Sequence, residues 1–121
     1  MNRPVHFEIL TDQPEKAAAF YRSVFDWKIE RWKGSETYWL AITGKPRTPG
    51  IDGGIMTREF SQAVINTIEV ESLEETLNKI EASGGRKVHG PYDIPGIGTH
   101  VYCADPDGIL FGVLQSPPPK E

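Results

Sequence analysis

The chain has one cysteine, no long apolar run and no excess of basic residues, and each shortage removes a class of function. Cys103 alone forms no internal disulfide and no thiolate metal cluster. No stretch approaches the roughly 18 apolar residues of a membrane-spanning helix, and the start, MNRPVHFEIL, lacks the apolar core and cleavage site of a secretory signal. The net charge is −4, and the densest basic cluster is the short GGRKVHG around Arg86 and Lys87. Nucleic-acid binding needs a concentrated basic face, so that class is set aside. What remains is a chain of 121 residues, 38% apolar and 25% charged, long enough for one domain with its own core, and the expected compartment is the reducing cytoplasm.

The pattern within that domain occurs twice. VHFEIL alternates in the manner of a strand, and TDQPEKAAAFYRSVF then opens a helix. Asp12 and Glu15 have the spacing of a capping box, with Pro14 in the first turn and Ala18, Tyr21, Val24 and Phe25 as the apolar stripe. Three strand-like runs follow: WKIERW, TYWLAIT and GGIMT. Near Ala63 the order restarts with the strand VINTIEV and the helix SLEETLNKIEAS. Ser72 and Glu75 form its capping box, Leu73, Leu77 and Ile80 its apolar face, and Gly84 and Gly85 its end. RKVHG, THVYCA and ILFGVLQ complete the second half. A step of 59 residues carries Val5 to Val64, Ile9 to Ile68 and Ile29 to Val88. The expected fold is therefore α+β: paired βαβββ modules of mostly antiparallel, curled sheets, one at about residues 4–58, one at about 62–115, with a frayed tail over 116–121.

VHFEIL running into DQPEKAAAFYRSVFDW, the Gly-Gly of the fourth strand, and the final DPDGILFGVLQ together resemble the vicinal oxygen chelate superfamily. That superfamily includes glyoxalase I, bleomycin-resistance proteins and extradiol dioxygenases. The resemblance covers about Val5 to Gln115 and implies a U-shaped cavity between the modules. It also implies where metal ligands would stand. The first is a histidine fifteen residues before the tyrosine of a Phe-Tyr pair, and His6 stands so relative to Tyr21. The others fall on Ile65 or Asn66, on Gly53, Gly54 or Met56, and on Gly112, seven residues after Asp105. Of these only His6 offers a good donor, and a lone imidazole does not hold a divalent ion tightly. No cofactor is expected on this reading. The alternative is one divalent ion on a rebuilt set, His6, Glu8 and Glu69, serving a metal-dependent lyase, isomerase or dioxygenase.

Strand period puts His6 and Glu8 on one face of the first strand, opposite Val5, Phe7 and Ile9. Such a pair can bind a polar group or exchange protons as acid and base. The 59-residue step places Thr67 and Glu69 on the matching face of the second half. His100 and Tyr102 share a face of THVYCA that either lines the cavity or packs under a helix. His89 reads as solvated, Cys103 as a buried inert thiol, and Gly90 to Gly98 as a rim loop or a plain hairpin connection. The aromatics Trp27, Trp32, Tyr38, Trp39 and Phe60 suit core, pocket wall or the interface of a homodimer, with Trp39 taken as a ligand contact. The expected function is binding of a small organic molecule by His6, Glu8, Thr67, Glu69, Trp39, His100 and Tyr102, with metal-free catalysis by His6 and Glu8 as a further option.

Overall fold

The alternating runs become strands with few changes of boundary. The computed structural model describes residues 1–33, 35 and 37–117, so of the expected tail Pro118 to Glu121 lie outside the described residues. The elements run β1 (Arg3–Thr11), α1 (Pro14–Phe25), β2 (Lys28–Arg31), β3 (Tyr38–Ile42), β4 (Asp52–Thr57), β5 (Val64–Val70), α2 (Leu73–Ala82), β6 (Arg86–Ile94), β7 (Gly98–Ala104) and β8 (Leu110–Gln115). The fold is α+β and its strand pairs are mostly antiparallel. The chain divides into an N-terminal module, His6–Ile65, and a C-terminal module made of Met1–Val5 with the residues from Asn66 onward. The first residues join the C-terminal module through the Asn2 amide, which donates to the Glu69 carbonyl (2.7 Å).

In the N-terminal module the strand order is β2-β3-β4-β1. β4 runs parallel to β1 and antiparallel to β3. Because side chains alternate across a strand, Ile29, Trp39, Ala41 and Ile55 fall on one face. They meet Ala18 of α1 there, with Ile9, Ala17, Tyr21 and Trp27 at the margin of the cluster. Burying a side chain such as Ile55 is worth about 1.5–3 kcal/mol, and Ile55 is fully buried. The expected stripe of α1 is therefore rotated. Ala17, Ala18 and Tyr21 face the sheet, while Val24 and Phe25 are more than half exposed. The expected capping box of α1 is also absent. Gln13 stands at the N-cap without a side-chain bond, and the Thr11 hydroxyl accepts from the Gln13 amide (3.1 Å). Pro14 supplies a first residue with no N–H to satisfy. Asp12 instead lies 3.8 Å from the Arg58 guanidinium.

The C-terminal module repeats the order as β5-β8-β7-β6, with β8 parallel to β5 and antiparallel to β7. Val101, Cys103 and Val113 pack with Val70 and Leu73, and Leu77 and Ile80 close over them as expected. Here the cap is formed: the Ser72 hydroxyl accepts from the Glu75 amide (3.2 Å). Gly84, at φ +93, ends the helix region where a side chain would be strained. β6 runs on to Ile94, so the hairpin alternative for Gly90–Gly98 is the one realised and only a short turn separates β6 from β7. The register of β6 slips between Lys87 and His89. Val88 is the extra residue there and is exposed, so it is not the counterpart of Ile29 that the 59-residue step suggested.

Candidate functional site

β4 contains two adjacent glycines, and each makes room for an aromatic ring on a different face. A Cβ on Gly53 would come within 2.5 Å of the Phe7 ring, which lies on the helix side, 5.7 Å from Trp27. A Cβ on Gly54 would collide with the Tyr38 ring and hydroxyl on the other side. Glycine inside a strand weakens it and marks a close approach, and here both approaches are ring over backbone.

The face carrying Tyr38 also carries His6, Glu8 and Leu10. Glu8 stands opposite Gly54 and Leu10 opposite Met56, while Tyr38 stands opposite Met56 and Leu40 opposite Gly54. From that position Tyr38 leans over Gly54, and its hydroxyl lies 2.8 Å from Nε2 of His6. Glu8 is 5% exposed, a carboxylate taken almost wholly out of water two residues along from the imidazole. Burial pushes the His6 pKa below its ordinary value, and the nearby carboxylates of Glu8 and Asp52 oppose that shift without overcoming it. His6 is therefore neutral at neutral pH, with one ring nitrogen as donor and the other as acceptor. A phenol, a neutral imidazole and a buried carboxylate on one face can hold a polar group or pass a proton.

The C-terminal module brings together Thr67, His100 and Tyr102. Since Val101 and Cys103 face α2, His100 and Tyr102 take the opposite face and do not pack under that helix. His100 Nε2 lies 3.2 Å from the Thr67 hydroxyl. The His100 and Tyr102 rings meet edge to face at 4.6 Å, and Tyr92 meets Tyr102 in the same way at 6.4 Å. A Cβ on Gly112 would lie 2.5 Å from both His100 Nε2 and Thr67 Oγ1. Glu69 shares the face of Thr67, and its carboxylate accepts from the Ser116 hydroxyl (2.6 Å). His89 is exposed, as expected.

Trp39 is the sequence-derived candidate that the structure moves elsewhere. It is 7% exposed and sits among Ala18, Ile29, Ala41 and Ile55, beneath α1, because β3 turns Tyr38 and Leu40, not Trp39, to the face of His6. Tyr38, which the sequence offers only as one of five aromatics suited to core, pocket wall or interface, is the aromatic that stands on the face of His6. The signal for it was the Gly-Gly pair, which announces close approach but does not say by what.

The residues present do not fit the divalent ion that the resemblance implies for metal-using members. The space above Gly54 is filled by Tyr38 and the space above Gly112 by His100 and Thr67. Ile65, the residue 59 positions after His6, is buried and has no donor. Among the described residues no three His, Cys, Asp or Glu side chains form a group able to hold a metal ion, and His6, Glu8 and Glu69 are not such a group. No helix among the described residues is long and apolar enough to cross a membrane.

Comparison with known proteins agrees with this architecture. A family model described as "Glyoxalase/Bleomycin resistance protein/Dioxygenase superfamily" matches residues 3–113. A protein of Mycobacterium bovis named "Putative glyoxylase CFP32" is 28% identical over 116 residues, which cover 92% of this chain and 43% of that protein. The chain thus spans less than half the length of that curated relative. Among solved structures, methylmalonyl-CoA epimerase from Mycobacterium tuberculosis superposes with a TM-score of 0.68 at 12% identity, covering 95% of this chain and 88% of that one. A Streptomyces coelicolor methylmalonyl-CoA epimerase variant in complex with 2-nitronate-propionyl-CoA also gives 0.68, at 15% identity, covering 100% and 99%. At such identities these structures share the fold with the chain.

Proposed function

The chain belongs to the glyoxalase/bleomycin resistance protein/dioxygenase superfamily, and from that premise we propose that it binds a small organic molecule without a tightly held metal ion. The observation that carries this reading is Tyr38, bent over Gly54 into a hydrogen bond with His6, on the face where a metal-using relative would build its coordination. The same face supplies an apolar floor. Leu40 and Ile42 are exposed there at 36% and 42%, beside buried Leu10 and Met56. A ligand with an apolar body and a hydrogen-bonding end suits that combination. The two epimerase structures make acyl-CoA thioesters a sensible first group to test. A reducing cytoplasm suits the single buried thiol of Cys103.

Metal analysis of the purified protein, followed by a thermal-shift screen of acyl-CoA thioesters, short carboxylic acids and ketones, tests this reading. The expected result is less than stoichiometric metal and a melting temperature raised by one of these groups in the parent chain but not in His6→Ala. One divalent ion per chain, lost in His6→Ala, would instead promote the metal-dependent lyase, isomerase or dioxygenase. A second reading, metal-free catalysis, is favoured by one observation: buried Glu8 on the same face as a neutral His6. Exchange of solvent deuterium into a bound ligand, abolished by Glu8→Gln with binding retained, would select it.

A further inference from the structure

Helix α1 of the N-terminal module carries apolar side chains that its own module does not cover. Pro14 and Ala18 are its buried residues, with Ala17 and Tyr21 at the margin of the core. Lys16, Phe20 and Val24 follow at four-residue intervals and so form one row along the helix. Phe20 and Val24 are 55% and 53% exposed, and Phe25, at the helix end, is 56% exposed. Ring contacts join them. Phe20 meets Tyr21 edge to face at 5.2 Å, and Tyr21 stacks with Phe25 at 6.2 Å. The apolar surface is therefore continuous, whereas exposed apolar residues scattered singly need no explanation. Ala17, Ala19 and Ser23 flank the row and are small, which leaves grooves into which the ridge of a second helix can fit.

We propose that this face of α1 docks a second copy of the chain, the two helices crossing antiparallel about a twofold axis near Phe20. Charge complementarity selects that occupant. A twofold axis sets the same patch on both sides, so the patch must complement itself. With Phe20 at the axis, Lys16 of one copy lies level with Val24 of the other and next to its Asp26. The lysine stem covers the valine. The ammonium meets the Asp26 carboxylate and the negative end of the helix dipole. Asp26 is the exposed C-cap, in the left-handed conformation at φ 59, so it stands at that end. Parallel helices would instead set Lys16 against Lys16 and Asp26 against Asp26. Glu15 lies off the row, and the Arg22 guanidinium is held by the Ile29 carbonyl (3.2 Å). Two phenylalanines and a valine, each about half open, offer roughly 300 Å2 of apolar surface per copy, given 150–250 Å2 for a whole aromatic side chain. A standard interface buries about 800 Å2 per partner. The pairing is therefore expected to be reversible and dependent on concentration.

Sedimentation velocity of the full chain from about 1 to 500 μM, a range suited to a weak pair, tests the inference. The parent is expected to move from one to two copies as concentration rises. Phe20→Glu and Val24→Glu are expected to remain single at every concentration, with far-ultraviolet circular dichroism unchanged because both positions are exposed. Lys16→Glu is expected to weaken pairing, and Lys16→Glu with Asp26→Lys to restore it. A covalent trap does not depend on the glutamate variants folding. Phe20→Cys is expected to oxidise to a disulfide-linked dimer, while Lys79→Cys, exposed on α2, is not. A parent chain that stays single throughout would overturn the inference. So would a dimer that persists in Phe20→Glu, or one trapped equally well at Lys79→Cys, since either would put the interface elsewhere. A single chain that sediments with phosphatidylglycerol vesicles, and loses that in Phe20→Glu, would overturn it in favour of a lipid surface.

Discussion

The N-terminal module reaches across its glycine with a long phenol, the C-terminal module with a shorter imidazole. Tyr38 is half-buried and meets Trp32 edge to face, with ring centroids 5.9 Å apart. His100 and Thr67 are both buried, at 7% and 1% exposure, and Tyr102 packs against the imidazole. The same architectural solution is therefore loose in one half and tight in the other. Slack on a strand face is what lets a side chain answer to a ligand, and tight packing is what fixes a wall. The comparison makes the N-terminal face the more responsive of the two.

The largest effects should come from filling the glycines. Gly112→Ala is expected to cost about 1–3 kcal/mol by overpacking, because its Cβ would press on two buried groups at once. Gly54→Ala should cost less, since the Tyr38 ring is only half-buried, whereas His100 and Thr67 are buried. Urea unfolding of the two variants checks the order, and a larger loss at Gly54 would break the comparison. Removing single hydroxyls comes next. Thr67→Val is expected to lose about 1–3 kcal/mol and Tyr38→Phe about 0.5–1.5 kcal/mol, because the first bond is buried and the second is half-buried.

The helix starts repeat the contrast in the same sense. Ser72→Ala is expected to cost about 1 kcal/mol by removing a formed cap. Asp12→Ala should change stability by about 0.5 kcal/mol or less, since its contact with Arg58 is long and in solvent. Thermal melts of the two variants distinguish these outcomes. The smallest effect is on pH dependence. The folded His6 has a pKa below the unfolded value of 6.5. The unfolded chain therefore takes up the proton first as pH falls. Stability should drop from pH 6.5 downward and level off below the folded pKa. His6→Gln should flatten that drop in unfolding measurements across the range. A drop of undiminished size would mean that His6 is not the group responsible.

Much of the fold was legible along the chain because strands and helices write their periods locally. Val5 and Val64, Ile9 and Ile68, and the cap at Ser72 all carried signals that need no distant partner. Where reading failed, a residue's fate depended on something elsewhere. Asp12 has the spacing of a cap and lies instead near Arg58. Val88 has the right offset and falls in a bulge. Trp39 has the chemistry of a pocket wall and the wrong side of its strand. The site was partly legible: His6 and Glu8 followed from alternation on β1, but Tyr38 did not, because its role depends on a glycine sixteen residues away on a neighbouring strand.

The sequence by itself determined the doubled βαβββ order and the face of β1 that carries His6 and Glu8, since period is a property of the chain alone, and the family resemblance added that few donors stand at the ligand positions it implies. Only the tertiary structure decided what fills those positions. Register between strands sets which side chain meets which backbone, and it laid Tyr38 over Gly54 and His100 over Gly112.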